Sequence, residues 1–338
     1  MDVKSKAYQE LLKKRPLNVQ ARFANDEMGL VSGRDIAAAA KKCDSIVLAA
    51  NARHPLVVKG VLRAAKKKNA AVLIELAKSE STYCGSTYDN LADYALKYST
   101  ELGHGAVFGL HVDHYAIKSE ADVLKGVGHL TKILNSGFTS VAIDASHLED
   151  YDNFAATRAL AGWLPPELGL EVEVGEIKGP GELSTVEEAT YYIGGLNAWQ
   201  IFPDYLAISN GSLHGTYDPA VGQMEGIDLT RTKEIADAIA PYGVAIAQHG
   251  ISGTPLDKVS TFRKYGIRKG NVATLFQNVY FGIKMDPDTG NAITEGGTYT
   301  KEADRGISVE LWEKIVAAAD EKGMSRKSGD YKKLNLPF

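Results

Sequence analysis

Eight times along the chain a short apolar run is followed by a segment whose apolar residues recur with helical spacing. The predicted strands are centred near residues 47, 73, 108, 142, 171, 206, 246 and 270. Short apolar runs bounded by turn residues are typical of buried strands in a parallel sheet. Eight strand–helix units in succession favour an α/β fold of the closed (β/α)8 type, a TIM barrel, over an open sheet.

The segments that precede and follow these eight units are also predicted to contain helices. Residues 1–15 resemble a short amphipathic helix, and a polar stretch separates them from the first strand. Residues 285–338 form a C-terminal helical appendage with one clear helix over 309–322. We therefore expect one domain over residues 1–338, with the barrel over about 17–284 and the extension over about 285–338.

The composition is that of an ordinary globular protein, with 44% hydrophobic and 24% charged residues. A net charge of -4 gives no reason to expect nucleic acid or an anionic membrane as a partner. The N-terminus lacks the apolar core of a signal peptide, and no apolar segment is long enough to span a bilayer. Only Cys43 and Cys84 are cysteines, which argues against a disulfide framework. We expect a cytoplasmic protein.

The third predicted strand carries the most distinctive polar residues. Its apolar run, 106–110, leads into His111, Asp113 and His114. In a regular strand Asp113 and His114 point to opposite faces, so both reach one site only if the strand ends there and the chain turns. Enzymes of this fold place their chemistry at the carboxyl ends of the strands. A structural histidine pair that caps the strand end is the alternative.

Three histidines, His114, His214 and His249, fall at the carboxyl ends of predicted strands or in the loops beyond. Three imidazoles from separate strands suit a divalent cation such as zinc, with one coordination position left open. Any one such histidine is more often structural than a metal ligand, but three at the same end of one barrel favour a metal site. Asp113, next to a candidate ligand, is placed for proton transfer, with orientation of a histidine as its alternative role.

Two glycine-containing loops, 210–215 and 250–253, follow later strands. Glycine lets backbone amides approach an anion, and barrels commonly bind phosphate at the loops after their last two strands. Ser252, Asn271 and Thr274 can supply further hydrogen bonds. Most short loops of this kind are merely turns, but their position here favours a phosphate site.

The sequence resembles the class II, zinc-dependent ketose-bisphosphate aldolases, which include the fructose-1,6-bisphosphate and tagatose-1,6-bisphosphate aldolases. The motifs occur in the family's order over about residues 45–280. The resemblance rests on four motifs: His111-Val-Asp113-His114, Asn210-Gly-Ser-Leu-His214-Gly215, His249-Gly-Ile-Ser252-Gly253 and Asn271-Val-Ala-Thr274.

The resemblance implies a role for each residue of the metal centre. His114, His214 and His249 would hold the catalytic zinc, and Glu173 resembles a carboxylate near an alternative metal position. Asp113 would be the acid/base that works on the C4 hydroxyl of the substrate. A monovalent cation near the phosphate site is a second candidate cofactor.

A second proton-transfer residue is expected in the loop after the fifth strand. Glu182 is the choice because it lies among flexible glycines, and Glu176 is its competitor. The substrate-binding residues that the resemblance implies are Asn51, Gly215, Gly250, Ser252, Gly253, Asn271 and Thr274.

The implied reaction is reversible, zinc-dependent cleavage of fructose 1,6-bisphosphate to dihydroxyacetone phosphate and glyceraldehyde 3-phosphate. Cleavage of another phosphorylated ketose, such as tagatose 1,6-bisphosphate, is the alternative. A metal-dependent barrel hydrolase and a non-catalytic sugar-phosphate binder are two further alternatives. We expect a homo-oligomer, either a dimer or a tetramer.

Departures from the family pattern in the loop 176–182 and at Ala77, Asp218 and Ile251 leave the choice between these sugars open. We expect the segments that select the aldehyde partner to be the loop 176–183, Asp218 and the C-terminal appendage.

Overall fold

A computed structural model of the protein describes residues 1–175, 183–212, 226–295 and 298–323. The strands of the main sheet are β1 (Gly29–Leu30), β2 (Val47–Asn51), β3 (Ala71–Ala77), β4 (Val107–Ala116), β5 (Ser140–Asp144), β6 (Gly169–Val174), β7 (Tyr205–Ile208), β8 (Ala245–Gln248) and β9 (Ile267–Val272). Two further strands, β10 (Thr294–Glu295) and β11 (Thr298–Tyr299), form a short antiparallel pair.

Helices alternate with these strands. Their bounds are α1 (Lys6–Lys13), α2 (Leu17–Arg22), α3 (Gly33–Lys42), α4 (Pro55–Lys68), α5 (Leu91–Glu101), α6 (Glu120–Asn135), α7 (Asp150–Ala161), α8 (Val186–Ala198), α9 (Leu229–Ile239), α10 (Leu256–Thr261), α11 (Thr274–Phe281) and α12 (Val309–Glu321). Thr185 and Glu188 form a complete capping box at the start of α8, so the sequence marks the first residue of that helix.

Strands β2 to β9 form a closed parallel barrel. Their order around it is β4-β3-β2-β9-β8-β7-β6-β5, and pairing of β4 with β5 completes the ring. The predicted TIM barrel is therefore confirmed, with all eight strands where the alternation placed them. Parallel strands in a closed barrel bring all their carboxyl ends to one face, which is where the loops can assemble a site.

The amino-terminal side of the barrel is closed by elements that the sequence analysis did not predict. The stretch before the first predicted strand, taken as merely polar, contains α2, β1 and α3. Strand β1 pairs with the start of β4, at Val107 and Phe108. Strand β5 pairs with β4 only from His111 onwards, where Ser140 lies opposite. Helix α3 contacts strands β2, β3, β4, β6 and β9, so it spans the end of the barrel.

Helix α12 packs outside the barrel as the C-terminal helix. Its Trp312, Ile315 and Ala319 form a separate apolar cluster with Phe281 and Ile283, at the end of α11. No helix in the described ranges has the length and apolar character that crossing a membrane requires. The bounds proposed for barrel and extension stay a prediction.

The packing of α3 against the barrel interior can be tested at Ala37. This side chain is fully buried against Tyr205, Ala207, Ala245 and Ala247. Ala37→Leu should lower the free energy of unfolding by about 1–3 kcal/mol, because the extra carbons have no space there.

Urea denaturation measures this change, with Ala38→Leu as the matched control on an exposed position of the same helix. Equal stability of the two variants would contradict a close fit of α3 in the barrel end.

Candidate active site

A cavity of 760 Å³ opens at the carboxyl ends of the barrel strands. Gly253 follows Ser252 in one of the loops at this face, whereas Glu182, its competitor Glu176, His214 and Gly215 lie outside the described residues. The structure brings together, in the cavity wall, the predicted site residues Asn51, Asp113, His114, Glu173, His249, Gly250, Ser252, Asn271 and Thr274.

A bulge in β4 directs Asp113 and His114 to the same cavity. The strand continues to Ala116, so the expectation that it ends and turns after Asp113 is wrong. Instead, the register with β5 shifts between Val112 and Tyr115, and His114 adopts a left-handed backbone conformation with φ of 45°. The extra residue redirects the side chains, which a regular strand could not do. Such a φ is uncommon outside glycine and is tolerated where surrounding structure enforces it.

Two histidines from opposite sides of the barrel meet in this cavity. The Nε2 atom of His114 lies 2.8 Å from Nδ1 of His249. On the outer side of each ring, Nε2 of His249 lies 2.8 Å from Glu171 Oε1, and Nδ1 of His114 lies 3.2 Å from Asp144 Oδ2. Each carboxylate accepts a hydrogen bond from the ring nitrogen that faces it. The two nitrogens that face each other then share one proton, and a metal ion that displaces this proton would find a lone pair on each ring. This is the arrangement by which carboxylates orient histidines that bind metals.

The electrostatics of the pair suit a cation. Burial disfavours the charged form of His114, but the carboxylates of Glu173, Asp113 and Asp144 outweigh burial and raise its pKa well above the usual range. Possible ligand atoms of Asp113, His114 and His249 all lie within 4.8 Å of one another, and so do those of His114, Asp144 and Glu173. Imidazole and carboxylate together are a donor set that binds zinc and similar divalent ions, so the residues present fit such a metal.

Asp113 is held as a base beside the histidine pair. Its Oδ1 accepts a hydrogen bond of 3.0 Å from Nδ2 of Asn271. Burial alone would raise the pKa of this carboxyl group, but the positive field of His114, His249 and Lys269 lowers it. An ionised carboxylate in the cavity wall can accept a proton from a bound molecule.

Beneath the histidines lies a cluster of buried charges that the sequence analysis did not assign. Lys269 is fully buried, with Nζ 2.7 Å from Glu171 Oε2, 3.5 Å from Glu75 Oε2 and 3.2 Å from His111 Nε2. Burial and then Lys269 lower the pKa of His111 to about 3, and its Nδ1 lies 2.8 Å from the Ser140 hydroxyl. His111 is therefore neutral, and its contacts hold the interior of the barrel together.

The sequence does contain a signal that could have predicted this cluster, namely the alternation of side chains between the two faces of a strand. Lys269 and Asn271 are two residues apart on β9, and Glu171 and Glu173 are two apart on β6. Residues at this spacing share a face, so each unassigned charge lies on the same side of its strand as a predicted site residue. Asp144, at the end of β5, could have been found from its position alone, because it ends a predicted strand.

The wall formed by the loops after β8 and β9 is suited to an anion. Gly250 and Gly253 adopt positive φ angles of 65° and 92°. The Ser252 hydroxyl accepts a hydrogen bond of 3.2 Å from the amide of Leu275, which ties the first loop to the start of α11 at Thr274. Amides at a helix N-terminus and nearby hydroxyls favour a phosphate or carboxylate.

Two asparagine oxygens in the cavity wall are buried acceptors. Asn51 Oδ1 and Asn271 Oδ1 receive no hydrogen bond within the described part of the chain. The amide nitrogen of Asn51 is used elsewhere, donating to Glu80 Oε2 over 2.6 Å. A buried acceptor without a donor costs free energy, so a ligand with hydroxyl groups would satisfy both positions.

Comparisons with known proteins agree with the fold. A sequence model of the family described as fructose-bisphosphate aldolase class-II matches residues 31–321. The fructose-bisphosphate aldolase of Streptococcus pyogenes serotype M3 is 28% identical over 258 residues, which cover 73% of this chain and 80% of that protein. The fructose-bisphosphate aldolase of Streptococcus pneumoniae serotype 4 is 27% identical over 258 residues, which cover 73% of this chain and 80% of that protein.

Solved structures match the barrel. The crystal structure of fructose-bisphosphate aldolase from Campylobacter jejuni has a TM-score of 0.60 at 20% identity, covering 75% of this chain and 79% of that chain. The YdjI aldolase from Escherichia coli K12 has a TM-score of 0.58 at 17% identity, covering 90% of this chain and 92% of that chain. At these identities the two structures support the fold alone.

The buried ion pair beneath the site generates a stability prediction. Lys269→Met should lower the free energy of unfolding by about 3–5 kcal/mol, because it leaves the Glu171 carboxylate buried without its cation. The double variant Glu171→Gln/Lys269→Met removes both charges, so its free energy of unfolding should fall distinctly less than that of the single variant.

Urea denaturation of chelator-treated protein measures both variants without a contribution from bound metal. If the double variant lost as much stability as the single one, the Lys269–Glu171 pair would not be what stabilises this region.

Proposed function

The chain belongs to the class II fructose-bisphosphate aldolase family, whose members are carbon–carbon lyases, and from this premise we propose its reaction. It cleaves fructose 1,6-bisphosphate reversibly to dihydroxyacetone phosphate and glyceraldehyde 3-phosphate, with zinc as the cofactor. The relatives named fructose-bisphosphate aldolase support this substrate. Family membership favours an aldolase over the hydrolase and the non-catalytic binder that the sequence left as alternatives.

The observation that carries the proposal is the contact between His114 and His249, with a carboxylate behind each ring. These two histidines would hold the zinc, with His214 as the third ligand on the strength of the sequence resemblance. Glu173, whose Oε1 lies 3.1 Å from His114 Nδ1, would serve an alternative metal position. The sequence resemblance assigns these three histidines no role other than metal binding.

Zinc, when bound, supplies a Lewis acid that polarises the substrate carbonyl. Asp113 accepts the proton of the C4 hydroxyl, because its carboxylate is ionised and Asn271 fixes one of its oxygens. The electron pair of that O–H bond forms the aldehyde carbonyl as the C3–C4 bond breaks, and the electrons of the broken bond stay on the three-carbon half. Glu182 then delivers a proton to C3 of that half, which completes dihydroxyacetone phosphate.

The phosphate of the dihydroxyacetone half would bind at the loops after β8 and β9. Gly250, Ser252, Gly253 and Thr274 contribute to this site, and Gly215 joins them on the strength of the sequence resemblance. A monovalent cation near that phosphate stays a proposal, and so does assembly into a dimer or tetramer.

The buried asparagine oxygens would bind the hydroxyl groups of the substrate. Asn51 and Asn271 each present an acceptor without a donor in the described chain, on the cavity wall beside Asp113. The hydroxyketone region would then lie between the anion site and the Asp113 carboxylate.

The metal assignment predicts the behaviour of His249→Ala. Loss of one ligand should weaken zinc binding by more than the roughly 10- to 100-fold that loss of a ligand's hydrogen-bond partner costs, because affinity depends on ligand number and geometry. Titration of the chelator-treated protein with zinc measures the dissociation constant, and His129→Ala, on the exposed face of α6, is the control. Unchanged zinc affinity in His249→Ala would overturn the assignment.

The role of Asp113 predicts a selective loss in Asp113→Asn. Cleavage of fructose 1,6-bisphosphate should fall about 10²–10⁴-fold, since the amide cannot accept the proton of the C4 hydroxyl. Zinc content should stay that of the wild type, and exchange of the C3 proton of dihydroxyacetone phosphate with deuterated solvent should be affected far less, because Glu182 carries that step.

Cleavage rates, zinc content and exchange by NMR are measured on the same preparations, with tagatose 1,6-bisphosphate as the alternative substrate. Near-normal cleavage by Asp113→Asn would reduce the residue to orienting a histidine. Faster cleavage of the tagatose ester by the wild type would replace the fructose assignment.

A further inference from the structure

The cavity has a second polar wall that faces the proposed phosphate site across the barrel. In the order of strands around the ring, β4 lies four positions from β8 and is therefore on the opposite side of the mouth. Lys118 follows β4. Lys78 follows β3, which is two positions from β9 and three from β8, but its Nζ donates to the carbonyl of Ala116 at the end of β4. Both lysines line the cavity. We expect the aldehyde half of a substrate whose other end binds at Ser252 to lie on this side of the mouth, because Asp113 is itself on β4.

Lys78 is held in position by the strand that carries the catalytic aspartate. Its backbone amide donates to the carbonyl of Asp113 over 3.2 Å. Its Nζ donates to the carbonyl of Ala116 over 2.8 Å and lies 4.2 Å from the centre of the Tyr115 ring. An ammonium group has three donors, so after the bond to Ala116 this lysine keeps donors for a ligand.

The other cation in the cavity wall is already neutralised. The guanidinium of Arg53 contacts Glu80 Oε1 through Nε and through NH2, at 2.6 and 2.5 Å, and both side chains are buried. Within the described ranges, Lys78 and Lys118 form no ion pair of this kind. The two lysines therefore supply the positive charge at this end of the cavity.

The nearby acid and hydroxyl groups are consistent with an anion at this wall. Asp122 lines the same wall, but its Oδ2 accepts hydrogen bonds from the amide of Lys118 and the hydroxyl of Ser119, at 3.1 and 2.9 Å. Its carboxylate also attracts the Lys78 ammonium group and so opposes the lowering of the Lys78 pKa by burial. Hydroxyl-bearing side chains of the loop after β3, those of Ser79, Thr82 and Tyr83, complete the wall.

We propose that Lys78, assisted by Lys118, binds the anionic group on the aldehyde half of the substrate and selects aldehydes that carry a phosphate or a carboxylate. This rests on the proposed function, because it assumes that the dihydroxyacetone half binds at the β8 and β9 loops. It differs from the sequence-based expectation, which assigned aldehyde selection to the loop 176–183, Asp218 and the C-terminal appendage.

The test is a comparison of acceptor aldehydes in the condensation direction. With saturating dihydroxyacetone phosphate and zinc-loaded enzyme, kcat/KM is measured for glyceraldehyde 3-phosphate, for glyceraldehyde and for an aldehyde that carries a carboxylate, glyoxylate. Lys78→Met should lower kcat/KM for glyceraldehyde 3-phosphate by about 10- to 100-fold, the loss expected when hydrogen bonds to a charged group disappear. The value for glyceraldehyde should change far less.

Further variants separate charge from structure. Lys78→Arg retains the charge and should keep the preference for the phosphorylated aldehyde. Lys118→Gln, at an exposed position, should lower the preference by a smaller factor. Lys132→Gln is the matched control, because it removes one exposed lysine charge from α6 outside the cavity.

The possible results separate the lysine assignment from the proposed aldolase reaction. An unchanged ratio between the charged and neutral aldehydes in Lys78→Met and Lys118→Gln would overturn the lysine assignment, and so would equal losses on all three aldehydes. A loss confined to glyoxylate would identify the ligand group as a carboxylate. If wild-type enzyme did not exchange the C3 proton of dihydroxyacetone phosphate, the proposed function itself would fail.

Discussion

The ammonium group of Lys269 lies inside the barrel with no exposure to solvent, and the site above depends on its charge. Burial would raise the pKa of the Glu171 carboxyl group, but Lys269 and then His249 lower it below the usual range. The ionised Glu171 in turn accepts a hydrogen bond from Nε2 of His249, and the other nitrogen of that ring faces His114. A chain of electrostatic contacts thus runs from the barrel interior to the atoms proposed to bind metal, and it fixes which nitrogen each histidine presents.

The fold could be predicted from the sequence because its signals are local. Apolar runs between turn residues mark the barrel strands, and Thr185 with Glu188 marks the start of a helix. Helix α3 was not predicted, because its buried side chains include Ala37 and Ala40, which give a weak hydrophobic signal. Their importance depends on the space that the closed barrel leaves at its end, and that space is a property of the tertiary structure.

The site could be predicted only in part, for a similar reason. Histidines and an aspartate at strand ends are visible in the sequence, and the structure does gather Asp113, His114 and His249 at one cavity. The bulge that turns His114 towards Asp113 depends on the register between β4 and β5, which no local pattern reveals. Nothing in the sequence singles out Lys269, because lysines are almost never fully buried unless they are paired. Its partners come from other strands, so only the folded barrel identifies them.

Anomalous diffraction from crystals of the zinc-loaded protein, recorded at the zinc absorption edge, locates the bound metal directly. The account predicts a peak that contacts Nε2 of His114 and Nδ1 of His249, with Glu171 and Asp144 still bound to the outer nitrogens of the two rings. An active, zinc-loaded protein without a peak at this position, or with its zinc bound elsewhere, would contradict the account.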